Sequence, residues 1–136
     1  MVIVVDATNS AGAGSNGWGT RLRFNGDTAS NYSWTIVNGN GTSASSARNS
    51  SVTSALIGWS NGGTTPSTHI TQIMNYSNAT TFKTIIGRSS NAPERVAGLV
   101  NLWRSTAAVT SITIFDEGGY NWQTGSTFSL YAIKCA

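Results

Sequence analysis

The chain has 136 residues and a formal net charge of +3, and 10% of its residues are charged, against about 25% in an average soluble protein. That length is about one domain, enough to bury a core without staples. Five Trp, four Tyr and four Phe supply bulky core material and exclude a disordered, charge-extended chain. Ser, Thr, Asn and Gly together make up 65 residues (19, 18, 13 and 15), while Glu, Lys and Gln are scarce. Thr suits strands, and Gly, Asn and Ser suit turns, so the composition points to β-structure with many turns.

Arg21, Arg23, Arg48, Arg88, Arg95 and Arg104 are scattered rather than clustered. No nucleic-acid partner is expected from them. No stretch has the ~18 apolar residues of a membrane helix, so no membrane partner is expected either. Cys135 is the single cysteine, which rules out an internal disulfide and argues against a disulfide-stapled secreted domain.

Strand signals recur along the chain, separated by Gly and Asn clusters. Val2–Val5 opens as a strand rather than a signal peptide. Gly12–Gly19 is a Gly-rich loop, followed by a strand over Thr20–Phe24 and a turn at Asn25-Gly26-Asp27. Asn31–Val37 alternates, with Tyr32, Trp34 and Ile36 on one face. Asn38–Ser51 reads as a long loop. Val52–Trp59, Thr68–Asn75 and Thr80–Arg88 are strands, with turns at Asn61–Pro66 and Ser89–Pro93. Val96–Arg104 has some helical spacing, but Val, Trp and Gly98 favour a strand. Val109–Phe115, a loop over Asp116–Gly125 and a last strand over Ser126–Ala132 complete the chain, with Phe128 and Leu130 inward. Short strands at this spacing indicate a sandwich or barrel. The expected fold is all-β: a single-domain, eight-stranded jelly-roll β-sandwich of two packed antiparallel sheets, with residues 1–13 as an extended N-terminal arm.

Catalytic chemistry is hard to assemble from these residues. His69 is the only histidine, and its strand setting favours a strand-face imidazole hydrogen-bonded to the backbone over a member of a triad. The five carboxylates Asp6, Asp27, Glu94, Asp116 and Glu117 are dispersed. Asp27 and the pair Asp116-Glu117 lie at turns, where they satisfy backbone N–H groups. Neither a transition-metal set nor a calcium-loop signature is present, so no metal and no cofactor are expected. Gly12-Ala-Gly14 and Gly17-Trp18-Gly19 lack the Lys and helix of a phosphate loop. Asn31, Asn40, Asn49, Asn75 and Asn78 head Asn-x-Ser/Thr sequons, expected by chance in this composition. Trp34, Phe82, Trp103, Phe128 and Tyr131 lie in strand runs and read as core. Trp59, Tyr76, Tyr120 and Trp122 border loops, where aromatics serve a subunit interface or stack on sugar rings.

Several segments resemble one family. Leu22-Arg23-Phe24-Asn25-Gly26-Asp27 with Asn31-Tyr32-Ser33, Phe82-Lys-Thr-Ile-Ile-Gly87-Arg88, Leu102-Trp103-Arg104-Ser105-Thr106-Ala107-Ala108-Val109-Thr110-Ser111-Ile112, and Gly125-Ser126-Thr127-Phe128-Ser129-Leu130-Tyr131 are similar to tailed-bacteriophage virion proteins. That family's pattern ends in Leu-Tyr-Gly-Ile, where this chain has Leu130-Tyr131-Ala132-Ile133. The resemblance implies a jelly roll, often trimeric, found in tail-fibre ends and in small capsid-surface proteins, without a catalytic motif.

The expectation is therefore a virion structural protein rather than an enzyme. The favoured form is a capsid decoration (cement) protein, sitting as homotrimers on the outer capsid surface and bracing the major capsid protein or another virion protein. Its interface arginines would be Arg21, Arg23, Arg88, Arg95 and Arg104, since the guanidinium fork suits interfaces. The alternative is a tail-fibre or receptor-binding module, with Trp59, Tyr120 and Trp122 stacking on host surface glycans. A depolymerase or esterase is disfavoured by the lone histidine and scattered carboxylates.

Overall fold

The computed structural model describes residues 1–12 and 16–133, and every regular element among them is a strand. There are ten: β1 (Val2–Asn9), β2 (Asn16–Phe24), β3 (Tyr32–Gly39), β4 (Ala44–Val52), β5 (Ala55–Gly62), β6 (Ser67–Ile73), β7 (Lys83–Asn91), β8 (Arg95–Trp103), β9 (Ile112–Asp116) and β10 (Thr127–Tyr131).

They form one curled, mixed sheet. The larger part runs β4-β3-β8-β7-β6-β1, with β10 on the far side of β1. The smaller part runs β5-β2-β9. β1 belongs to both: Val2–Asp6 pair with β10 and β6, whereas Thr8 and Asn9 pair in parallel with Asn61 and Gly62 of β5. The smaller part folds back so that β5 lies across β6, β7 and β8. This arrangement is all-β and consistent with a β-sandwich.

Burial follows the period of two that a strand imposes. Ile3, Val5, Ala7 and Asn9 of β1 are buried in alternation, as are Ser67, His69, Thr71 and Ile73 of β6 and Lys83, Ile85, Ser89 and Asn91 of β7. The main core joins Ile3, Val5, Ala7, Ile73 and Ile85 to Leu22, Phe24, Tyr32, Ala55, Ile57 and Trp103. A second cluster packs Ile36, Leu56, Ala97 and Leu99 under Trp34 and Trp59. Tyr32 anchors the main core: its hydroxyl accepts the Phe24 N–H at 2.9 Å, and burial, the largest influence, pushes its pKa up to about 12.

Several expectations are corrected. There are ten strands rather than eight, and the parallel β1–β5 junction makes the sheet mixed and continuous rather than two separate antiparallel sheets. Val2–Asp6 are paired on both sides by strands of the same chain and Thr8 and Asn9 pair with β5, so the segment read as an arm is an interior strand. Residue 13 and the middle of the Gly-rich stretch, like Cys135, lie outside the described residues. Within Asn38–Ser51 lies a hairpin: Asn40 Oδ1 accepts from the N–H groups of Thr42 and Ser43, and β4 then pairs along all of β3. Phe82, Phe128 and Tyr131 are exposed rather than core, because Lys83 and Ile85 take the inward positions of β7 and β10 is covered only in part.

The hairpin at Asn40 repeats elsewhere and accounts for much of the Asn and Thr content. Asn78 Oδ1 accepts from the backbone N–H and hydroxyl of both Thr80 and Thr81. An Asn followed two residues later by Thr is thus a turn device here, since the amide oxygen satisfies donors the turn frees. Two of the five sequons, Asn40 and Asn78, have this local role.

Candidate assembly surface and the polar interior

The space between the two parts of the sheet holds more polar atoms than an ordinary core. His69 of β6 is 1% exposed. Its Nε2 lies 3.1 Å from Thr20 Oγ1 on β2, and its Nδ1 2.9 Å from Ser89 Oγ on β7. A neutral imidazole offers one donor and one acceptor, and the two rotatable hydroxyls complement either tautomer. Burial lowers its pKa to about 4, against a smaller opposing influence of Asp6. His69 is therefore a neutral strut joining three strands, structural as expected but held by the hydroxyls of Thr20 and Ser89 rather than by the backbone.

Asp116, at the end of β9, is buried with three donors around it. Asn9 Nδ2 and the Ser60 hydroxyl reach one carboxylate oxygen, and the Gly118 N–H reaches the other at 2.8 Å. This holds the β9 terminus to β1 and β5 and agrees with the turn reading of Asp116. Asp27 also serves a turn: it accepts from Asn31 Nδ2, Trp103 Nε1 and the Ala29 N–H. Partial burial raises its pKa, but these hydrogen bonds outweigh that and hold it below the ordinary value. Lys83 is buried, its ammonium donating to the carbonyls of Thr81 and Thr106 at 2.7 and 3.1 Å, and burial lowers its pKa. Among the described residues no cluster of three His, Cys, Asp or Glu side chains is placed to hold a metal ion.

The five arginines separate into two groups. Arg21, Arg23 and Arg95 lie over rings of their own chain: Trp34 at 5.9 Å, Phe115 at 4.4 Å and Trp59 at 4.8 Å. Arg21 also pairs with Glu117 at 2.7 Å, Arg95 with Glu94 at 3.3 Å, and Arg23 Nε donates to the Thr53 carbonyl. These three fasten β2, β3, β5, β8 and β9 to one another. Arg104 follows β8, half-buried, with its backbone N–H on the Asn31 carbonyl. Arg88 alone points outward from the middle of a sheet face.

The aromatic residues are also dispersed. Trp59 packs on the second core cluster and Trp122 on the main one, where it meets Phe128 edge-on at 5.4 Å. Tyr120 is exposed, and its companion is Trp18, which the sequence reading did not select. Their rings are 5.8 Å apart and tilted by 56°. Gly118 lies against both rings, so a Cβ there would collide with them.

The most extensive feature is the outer face of the larger part. Its register places Tyr131, Val2, Gln72, Ile86, Val100 and Thr35 in one row across β10, β1, β6, β7, β8 and β3. The next row holds Ser129, Val4, Ile70, Arg88, Gly98 and Val37. Val37 and Val96 are 60% and 63% exposed, and Ile86 and Val100 are also exposed. An antiparallel face turned to water ordinarily carries polar residues at these positions. The sequence signal was present, since Val2, Val4, Ile70, Ile86, Val96 and Val100 alternate with inward residues, but either phase of β7 and β8 is apolar enough to be taken for core. Beyond this face β4 is bare: all but its last residue are exposed, on both sides.

No protein-family model, curated protein or solved structure matches the chain.

Proposed function

We propose that the chain is a structural protein of a tailed-phage virion, and specifically a decoration (cement) protein that sits on the outer capsid surface and braces the shell. The observation that carries this reading is the outer face of the larger sheet part, with exposed Val37, Val96, Val100 and Ile86. Together with the bare strand β4, it is more unsatisfied surface than a free monomer needs. The segments that resemble phage virion proteins lie mainly on β2, β3, β7, β8 and β10. The nested pairs β1–β10, β2–β9 and β3–β8 support the jelly-roll form of the fold, since rolling up one long hairpin pairs first strand with last. Bracing is a linkage effect: a protein that binds the assembled shell and not its separated subunits stabilises the shell by mass action. Quantitative mass spectrometry of purified particles tests the reading. Hundreds of copies per particle support it, and absence from the particle overturns it.

A tail module recognising host glycans is the second reading. The exposed Trp18–Tyr120 pair favours it, because two tilted rings beside Glu117 and Asn121 offer a stacking platform with polar neighbours. Binding to a glycan array that is lost in Trp18→Ala, with a few dozen copies or fewer per particle, would replace the decoration reading by this one.

A further inference from the structure

We infer that the outer face of the larger sheet part is the docking surface for a second copy of this chain, related by a two-fold axis, with Arg88 of each copy meeting Asp6 of the other. The inference rests on reading this face as an assembly surface, but not on the virion.

The apolar rows set the area. Five strands about 4.8 Å apart, each spanning some seven residues at about 3.4 Å, give a face of roughly 600 Å² before Tyr131 and Met74 extend it. That approaches the ~800 Å² each partner contributes to a standard interface. Gly98, beside Val37 and Arg88, keeps the middle of the face low.

The charges set the occupant. Lys and Glu are missing from the outward positions of β1, β6, β7, β8 and β3. The full charges at those positions are Asp6 on β1 and Arg88 on β7. Asp6 is level with Thr68 and Ser90, and Arg88 with Ile70 and Val4, so they stand two strands and two residues apart. Asp6 accepts a hydrogen bond from Thr68 at 2.8 Å, and no ion pair joins it to Arg88 within the chain. One acid and one base on the same face are self-complementary under a two-fold rotation, where each contact occurs twice. A partner of one dominant charge would leave one of the two opposed to a like charge.

The test is mass in solution, by sedimentation or light scattering, on the whole chain and its variants. Wild type is expected at twice the mass of Val100→Lys and of Arg88→Asp, with association weakened at least tenfold in each. Both residues point outward, so these substitutions leave the core alone. Asp6→Arg should separate copies in the same way. An equal mixture of Arg88→Asp and Asp6→Arg should recover the doubled mass, because both reciprocal pairs are then opposite in sign. If Asp6→Arg fails to fold, Val100→Lys and Arg88→Asp still decide. Equal masses for wild type and Val100→Lys overturn the inference, as does a wild-type mass of three copies, and so does a wild-type monomer at concentrations up to about 100 µM, weaker than standard-sized interfaces bind. In that case another protein covers the face. Copy number in particles is read separately. A self-associating chain absent from particles sinks the virion reading alone, and an abundant one that never doubles sinks this inference alone.

Discussion

Asn101 on β8 acts as a strand partner for Leu56 on β5. Its Oδ1 accepts the Leu56 N–H at 2.8 Å, and its Nδ2 donates to the Leu56 carbonyl at 2.9 Å. The two strands belong to opposite parts of the curled sheet, and Asn101 is 1% exposed. One side chain therefore satisfies a backbone donor and a backbone acceptor across the interior, where water does not reach them. Asn101→Leu fills similar volume but leaves both Leu56 groups unpaired. At about 1–3 kcal/mol for each stranded group, the variant should lose about 3 kcal/mol of stability. Urea denaturation measures it, and a loss below about 1 kcal/mol would mean that Leu56 finds other partners.

His69 makes stability depend on pH. Its pKa in the fold is about 4, against about 6.5 in an unfolded chain. Between those values the unfolded chain binds the proton and the folded one does not, so acidification favours unfolding. The stability contribution is intact above about pH 6.5, and about 3 kcal/mol is lost by pH 4. Asp27, with its lowered pKa, adds a loss of the same sign below the ordinary carboxylate range. Urea midpoints at pH 7.5 and 4.5 should therefore differ, and His69→Gln should flatten the difference. An unchanged slope in His69→Gln would assign the pH dependence to the carboxylates.

Gly58 faces the same imidazole. A Cβ there would collide with His69 Nδ1 and Cε1 and with Ser89 Oγ. The colliding atoms are held by the hydrogen bonds that join β2, β6 and β7, so they do not move aside freely. Gly58→Ala should cost about 3 kcal/mol, in the upper range of overpacking. Gly39→Ala is the control, since its Cβ would meet only the Ser43 carbonyl oxygen, at an ordinary 3.7 Å. Thermal unfolding of the two variants side by side tests the claim, and a Gly58→Ala protein as stable as the control would refute it.

Much of the fold was legible where apolar and polar residues alternate. Tyr32, Trp34 and Ile36 share the inward face of β3 as their spacing predicts, and Val96–Arg104 is a strand up to Trp103. The turn at Asn25-Gly26-Asp27 and the structural role of His69 were also readable. β4 was not, because Ala44-Ser-Ser-Ala-Arg-Asn-Ser-Ser-Val52 buries almost nothing and so carries no hydrophobic period. Arg21, Arg23 and Arg95 were selected for contacts with other chains, yet they lie over Trp34, Phe115 and Trp59 of their own. Nothing in local spacing reveals those partners, which come from strands paired or packed at long range. Asn101 and Asp6 were missed for the same reason: one buried amide and one half-buried acid gain meaning only from what the curl places opposite or beside them.

β4 separates the needs of the fold from those of assembly. It pairs with β3 on one edge, its other edge is free, and both of its faces are exposed along Ala44–Ser51. It carries no Pro or Lys, the usual guards of an open edge, and its cation is Arg48. A strand of small residues allows another surface to approach closely. Ala47, opposite Ile36, is exposed, so Ala47→Lys should change monomer stability by no more than about 0.5 kcal/mol. The same substitution places a bulky hydrated charge on the bare strand. On the proposed decoration role, it should reduce incorporation into particles severalfold when variant and wild type compete during assembly, as read by quantitative mass spectrometry. Equal incorporation at equal stability would mean that β4 faces solvent in the particle and that the shell is gripped elsewhere on the chain.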